Sequence, residues 1–95
     1  MTLITTPMYY QAPDARLDYL VDWEPFLTSI SDTANTFAWI ASTDLTLSDE
    51  TTTATTHGIV INGGIEHRTY RITSRITTTT GRVQDQSFFL AITRT

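Results

Sequence analysis

His57 and His67 are the two side chains that could hold a metal or shuttle a proton, and each stands alone in the chain. A helical zinc site needs a second imidazole one turn away, and a zinc finger needs thiolates. Neither histidine has an i+4 partner and the sequence has no cysteine, so no metal and no cofactor is expected. Asp18 and Asp22 flank a short apolar stretch, LDYLVDW, and as an acid pair they would have to converge across a cleft as a glycosidase dyad does; their setting reads as two surface carboxylates. Asp49 and Glu50 run into three threonines and read as a solvated turn. Gly63 and Gly64 lack the following helix that cradling a phosphate requires, which leaves them a turn as well. No catalytic residue emerges, and the expectation is a protein that is not an enzyme.

Composition narrows the partners. The net charge of −4 and the six arginines, scattered from Arg16 to Arg94 without a cluster, argue against a surface that tracks a phosphate backbone, so nucleic acid is not an expected partner. No apolar run approaches the roughly 20 residues of a membrane-spanning helix, and no membrane partner is expected. The opening MTLITTPMYYQAPDAR lacks the basic and apolar regions of a secretory signal, and a cysteine-free chain suits a reducing cytosol. At 95 residues the chain fits one domain. A domain of this size buries roughly two-thirds of the surface its unfolded chain exposes, so packing alone must hold a thin core.

The elements that would position any site are strands. Roughly a fifth of the residues are threonine, whose branched Cβ favours extended backbone while its hydroxyl tolerates water. From Tyr70 to Thr77 the order Tyr, Arg, Ile, Thr, Ser, Arg, Ile, Thr alternates, placing Tyr70, Ile72, Ser74 and Ile76 on one face and Arg71, Thr73, Arg75 and Thr77 on the other. Gly81 then permits reversal, and Phe88, Leu90 and Ile92 form the inward set of a returning strand, with Phe89 outward. HGIVING, TFAWIAS, DLTL and LDYLVDW supply further strands, and EPFL after Asp22 suits a single helical turn. Trp39, between apolar neighbours, is expected in the core, and Trp23 reads as a packing anchor beside Pro25. Pro7 and Pro13 deny donors to a sheet, so residues 1–13 are expected as an extended arm, or in part as an edge strand, ahead of a β-sandwich over residues 14–95. Its apolar Leu3, Ile4, Met8, Tyr9 and Tyr10, together with outward Phe89, are the candidate protein-interface residues.

Tyr70 lies two residues before inward Ile72, the spacing at which a tyrosine in immunoglobulin-like domains bonds back to the preceding loop. The succession LDYLVDWEPFL, SDT, FAW, IVINGG and TYRITSRITTTTGRVQDQSFFLAI resembles the small immunoglobulin-like phage structural proteins of the fiber-tail adaptor family over roughly residues 14 to 93. Asp22, Trp23, Phe26 and Leu27 resemble that family's aspartate-tryptophan pair and second anchor. Arg75, Ile76, Thr77, Thr78, Gly81, Arg82, Ser87 and Phe88 match its C-terminal pattern. Ser31-Asp32-Thr33-Ala34 stands where the family has Gly-Asp-Thr-Ile. The resemblance implies an all-β, immunoglobulin-like antiparallel sandwich in a virion, made in the host cytoplasm. Its implied role is to join tail or connector components, with other virion proteins (tail, fiber, portal or capsid) as partners and several copies in a symmetric assembly. Two alternatives stay open: a capsid decoration or cement protein, and a carbohydrate-binding module stacking sugars on Trp23, Trp39, Tyr9 or Tyr10.

Overall fold

The threonine-rich hairpin is the longest regular feature of the molecule, whose computed structural model describes residues 8–93. Its two strands, β6 (Thr69–Thr78) and β7 (Val83–Ile92), pair antiparallel from Thr69↔Ala91 to Thr77↔Val83. Five further strands and one helix are described: β1 (Met8–Gln11), β2 (Arg16–Asp22), α1 (Glu24–Ile30), β3 (Ala34–Ile40), β4 (Leu45–Thr52) and β5 (Thr56–Gly63). They form two sheets, in the orders β1-β7-β6-β3 and β2-β5-β4. Placing the second, fourth and fifth strands on one sheet and the third, sixth and seventh on the other is the division of an immunoglobulin-type sandwich. All described pairs are antiparallel except β1, which runs parallel to β7 with Met8↔Phe89 and Gln11↔Ile92 in register. The expected arm is thus described from Met8 onward, where four of its residues join the sheet; Leu3 and Ile4 lie outside the described residues.

Alternation on the hairpin builds the core as expected. Tyr70, Ile72, Ile76, Phe88, Leu90 and Ile92 are all buried, and with Leu45, Ile59 and Ile61 most of them form the larger apolar cluster. Ile76 joins Val21, Trp23 and Leu27 in a second cluster around α1. Trp23 is its centre at 1% exposure, packed edge-on against Phe26 at 5.5 Å. Trp39 touches both clusters but stays half-buried, because β3 is an edge strand that covers its ring from one side only.

Polar groups tie the loops to this core. The Tyr70 hydroxyl accepts the Ile65 N–H at 2.9 Å and donates to Asp44 at 3.1 Å, which is the back-bonding tyrosine its spacing anticipates. Gly64 sits at φ +95, where an added Cβ would come within 2.7 Å of Ile92. This turn therefore needs glycine for both its backbone and its space. Ser31 holds the left-handed C-cap of α1 at φ 52, a conformation glycine adopts at lower cost. Ala34 packs half-buried against the second cluster.

The threonine run has a task beyond facing water. Thr78 is 1% exposed and its hydroxyl accepts the Arg82 N–H at 3.0 Å, closing the turn. Thr79 and Thr80 both donate to the Asp32 carboxylate, which also accepts the Thr33 N–H at 2.8 Å. The hairpin tip is thereby clamped to the loop after α1. These bonds, the one from Thr80 foremost, hold the Asp32 carboxyl well below the usual carboxylate range.

Two outcomes follow from the fold. Leu90→Ala removes a fully buried side chain from the larger cluster and should cost about 2 to 5 kcal/mol in chemical denaturation. Because the folded-state pKa of Asp32 is depressed, its contribution to stability is complete above its unfolded value and disappears as pH falls through the folded one. The melting temperature should therefore drop as pH is lowered below about 4, and Asp32→Asn should flatten that part of the profile.

Candidate interaction site

Gln11 explains how β1 is held. It is 2% exposed, and its amide donates to the Ala15 carbonyl at 3.0 Å and to the Ile61 carbonyl of the opposite sheet at 2.9 Å. Its own carbonyl accepts the Tyr19 hydroxyl at 2.6 Å. Burial, reinforced by nearby Tyr9 and Asp18, pushes the Tyr19 hydroxyl above its ordinary pKa and keeps it a donor. The strand is therefore latched across the sandwich. Tyr9, two residues earlier on the same inward side, packs 5.4 Å from Tyr19 and 5.5 Å from Phe88.

Alternation sends the other two β1 residues outward. Met8 and Tyr10 are 49% and 66% exposed, and the strand register sets Met8, Phe89 and Arg71 in one row across three strands. Phe89, opposite in direction to buried Phe88, is half-buried in that row. Met8, Tyr10 and Phe89, three of the expected interface residues, thus share one outer face, whereas Tyr9 belongs to the inner one. Farther along the face the polar groups are mutually satisfied, with Thr73 bonded to Ser87 at 2.8 Å and Arg75 gripping Asp85 through two bonds of 2.7 and 3.0 Å. Met8 and Phe89 give this row apolar contact area, and Arg71 at its end donates to Ser87 at 3.3 Å.

Two of the sheet edges are irregular. β3 carries a register shift between Ala34 and Thr36, and β4 carries one between Ser48 and Thr51, with Asp49 at φ 51. Bulges of this kind spoil an edge as a template for another strand.

One arrangement with the order of a catalytic site is structural. Ser74, His57 and Glu50 line up as hydroxyl, imidazole and carboxylate, with His57 Nδ1 2.8 Å from Ser74 Oγ and Nε2 2.5 Å from Glu50. That is the order of a nucleophile relay. Ser74 and His57 are 0% exposed, however, and Ser74 Oγ already accepts the Trp23 indole N–H at 3.0 Å, so no substrate can approach the hydroxyl. Phe37 and Trp39 stack on the His57 ring at 4.8 and 4.3 Å. Trp39 also donates its N–H to the Gly58 carbonyl at 3.2 Å. With Trp23 buried and Trp39 engaged in this way, neither tryptophan stands out as an exposed platform for a sugar ring.

Residues 11–91 match the family model for podophage GP4 fiber-tail adaptor protein gp77. The chain belongs to this fiber-tail adaptor family. A search of the curated proteins finds no match. The matched region runs from Gln11, the residue that latches β1 in this chain, to Ala91 on the strand that β1 accompanies. Adaptor chains of this kind are phage structural proteins, and the C-terminal pattern from Arg75 to Phe88 falls wholly within the match.

The latch was not visible in the sequence, because a glutamine between two aromatic residues and a proline gives no sign of bonds 50 residues away. Gln11→Ala should remove the side-chain partner of one buried and one partly buried carbonyl and of the Tyr19 hydroxyl, and cost about 1 to 3 kcal/mol. Thermal melting checks this, and Tyr10→Ala, on the outward side of the same strand, should melt like the parent.

Proposed function

We propose that this member of the fiber-tail adaptor family is a non-enzymatic virion component, present in several copies, that joins tail or connector parts through the outer face built by β1 and β7. The observation that carries the reading is the row Met8-Phe89-Arg71, an apolar strip with a cation at its end, lying outside a sandwich whose interior is otherwise complete. Aromatic and long apolar side chains combined with arginine are the composition that dominates binding energy at protein interfaces. The family match supports the placement in the virion. The relay-like residues within the sandwich are consumed by packing, which supports a role that depends on shape.

On this reading Leu3, Ile4, Met8, Tyr9 and Tyr10 with Phe89 make the contact, the segment 1–13 serving as the arm of the domain 14–95. Its inner residues Tyr9 and Gln11 anchor it, and its outer residues meet a neighbouring subunit. Ordering a segment costs roughly 1 to 2 kcal/mol per residue in backbone entropy. The Gln11 latch offsets part of that cost before any partner arrives.

Phe89→Ser is the discriminating variant. It removes no residue of either apolar cluster, so the purified domain should melt within a few degrees of the parent while incorporation into particles, scored by immunoblot of purified virions, falls sharply. Normal incorporation, or unfolding as severe as that of Leu90→Ala, would refute the assignment.

A further inference from the structure

The charges are sorted along the chain. Residues 1–66 carry nine carboxylates and one arginine, a net −8, whereas residues 67–95 carry five arginines and one aspartate, a net +4. The fold converts this order into two unlike faces. On the outer side of the β2-β5-β4 sheet, β2 presents Asp18, Leu20 and Asp22 in alternation, and the arginine of that strand, Arg16, is already bound to Asp49 at 2.5 Å across the sheet. On the outer side of the β1-β7-β6-β3 sheet, β6 presents Arg71 and Arg75, against a single described acid, Asp85, in the strands of that face.

We infer that these two faces bind each other between copies of this chain, Arg71 with Met8 and Phe89 of one copy seating on Asp18, Leu20 and Asp22 of the next. The apolar parts correspond as well as the charges. Leu20 is 64% exposed and its register partner is Gly58, so it stands beside a residue without a side chain as a knob flanked by two carboxylates. Opposite it would lie the half-exposed Met8 and the ring of Phe89 with a guanidinium at the end of the row. Long extents of 43 and 26 Å leave each face room for the roughly 800 Å² per partner of a stable interface. The bulges in β3 and β4 disfavour the competing mode, strand addition at those edges. Since the two faces lie on opposite sides of the sandwich, the contact is head to tail, and repetition closes a ring or extends a filament. This names the neighbour required by the adaptor reading while standing on its own geometry.

Sedimentation velocity on the purified full chain, with Asp18→Arg and Arg71→Glu, tests the contact. The parent should associate with rising concentration at about 50 mM salt and less at about 500 mM. Each variant should melt like the parent and associate at least about tenfold more weakly, since like charges then face each other. An equimolar mixture of the two should regain association, because each retains the face its companion lacks. A parent that stays monomeric, an Asp18→Arg variant that associates normally, or a mixture that fails to recover would each overturn the inference; should either reversal lower the melting temperature, Asp18→Asn and Arg71→Gln replace it with the same expectations. Virion incorporation of the parent is scored separately: a chain that self-associates yet is absent from particles would count against the adaptor role and leave the contact standing.

Discussion

The Ser74 hydroxyl, buried at the middle of β6, is the point at which the two sheets are joined. It accepts from Trp23, which follows β2, and meets His57 of β5, so one oxygen on one sheet engages two residues associated with the other. A polar group placed this deep must be fully paired or it costs more than it contributes. The pairing is complete when Ser74 donates to Nδ1 and Nε2–H donates to Glu50, a single tautomer that leaves no buried side-chain atom unsatisfied among the described residues. Tyr70 with Asp44 and Gln11 with Ile61 repeat the device elsewhere. Apolar packing between these three links is nondirectional; the links determine how one sheet is aligned on the other.

That division of labour decides what could be read in the sequence. The hairpin was legible because period-two alternation is local: every inward position expected from Tyr70 to Ile92 is buried. The tyrosine spacing was legible for the same reason. Positions that depend on distant partners were not. Thr78 reads as one more wet threonine, but the register puts it inward and its hydroxyl caps a turn. DLTL understates β4, whose run through Asp49 to Thr52 is a bulged continuation of low apolar content. The MYYQ segment gives no local sign of a parallel partner 81 residues away, because parallel pairing is specified by contacts and not by a turn.

The same locality separates the candidate site into a visible and a hidden part. Phe89 was marked by its neighbour, since two adjacent phenylalanines on a strand cannot both face inward. Met8 and Tyr10 were marked only as apolar residues in an awkward segment, and it was the register of β1 on β7 that brought them beside Phe89. Tyr9 was grouped with them by composition and separated from them by alternation. Nothing in a short stretch of sequence distinguishes Tyr9 from Tyr10 until the phase of the strand is known, and Gln11, the residue that sets that phase, is polar.

A sandwich arranged in this way leaves its outer surfaces largely independent of its stability. Met8, Phe89 and Leu20 belong to neither apolar cluster, and the three polar links lie inside. Substitutions outside can therefore tune contacts while the domain keeps its shape, which suits a structural protein of the fiber-tail adaptor family. Tyr9 is the exception that couples the two regimes. Its ring completes the aromatic packing with Tyr19 and Phe88 and yet remains 44% exposed, so a neighbour covering β1 would also cover Tyr9 and add to the burial that holds the strand in place. Binding on the outer face and ordering of β1 would then reinforce each other, because the same four residues carry the latch on one side and the contact on the other.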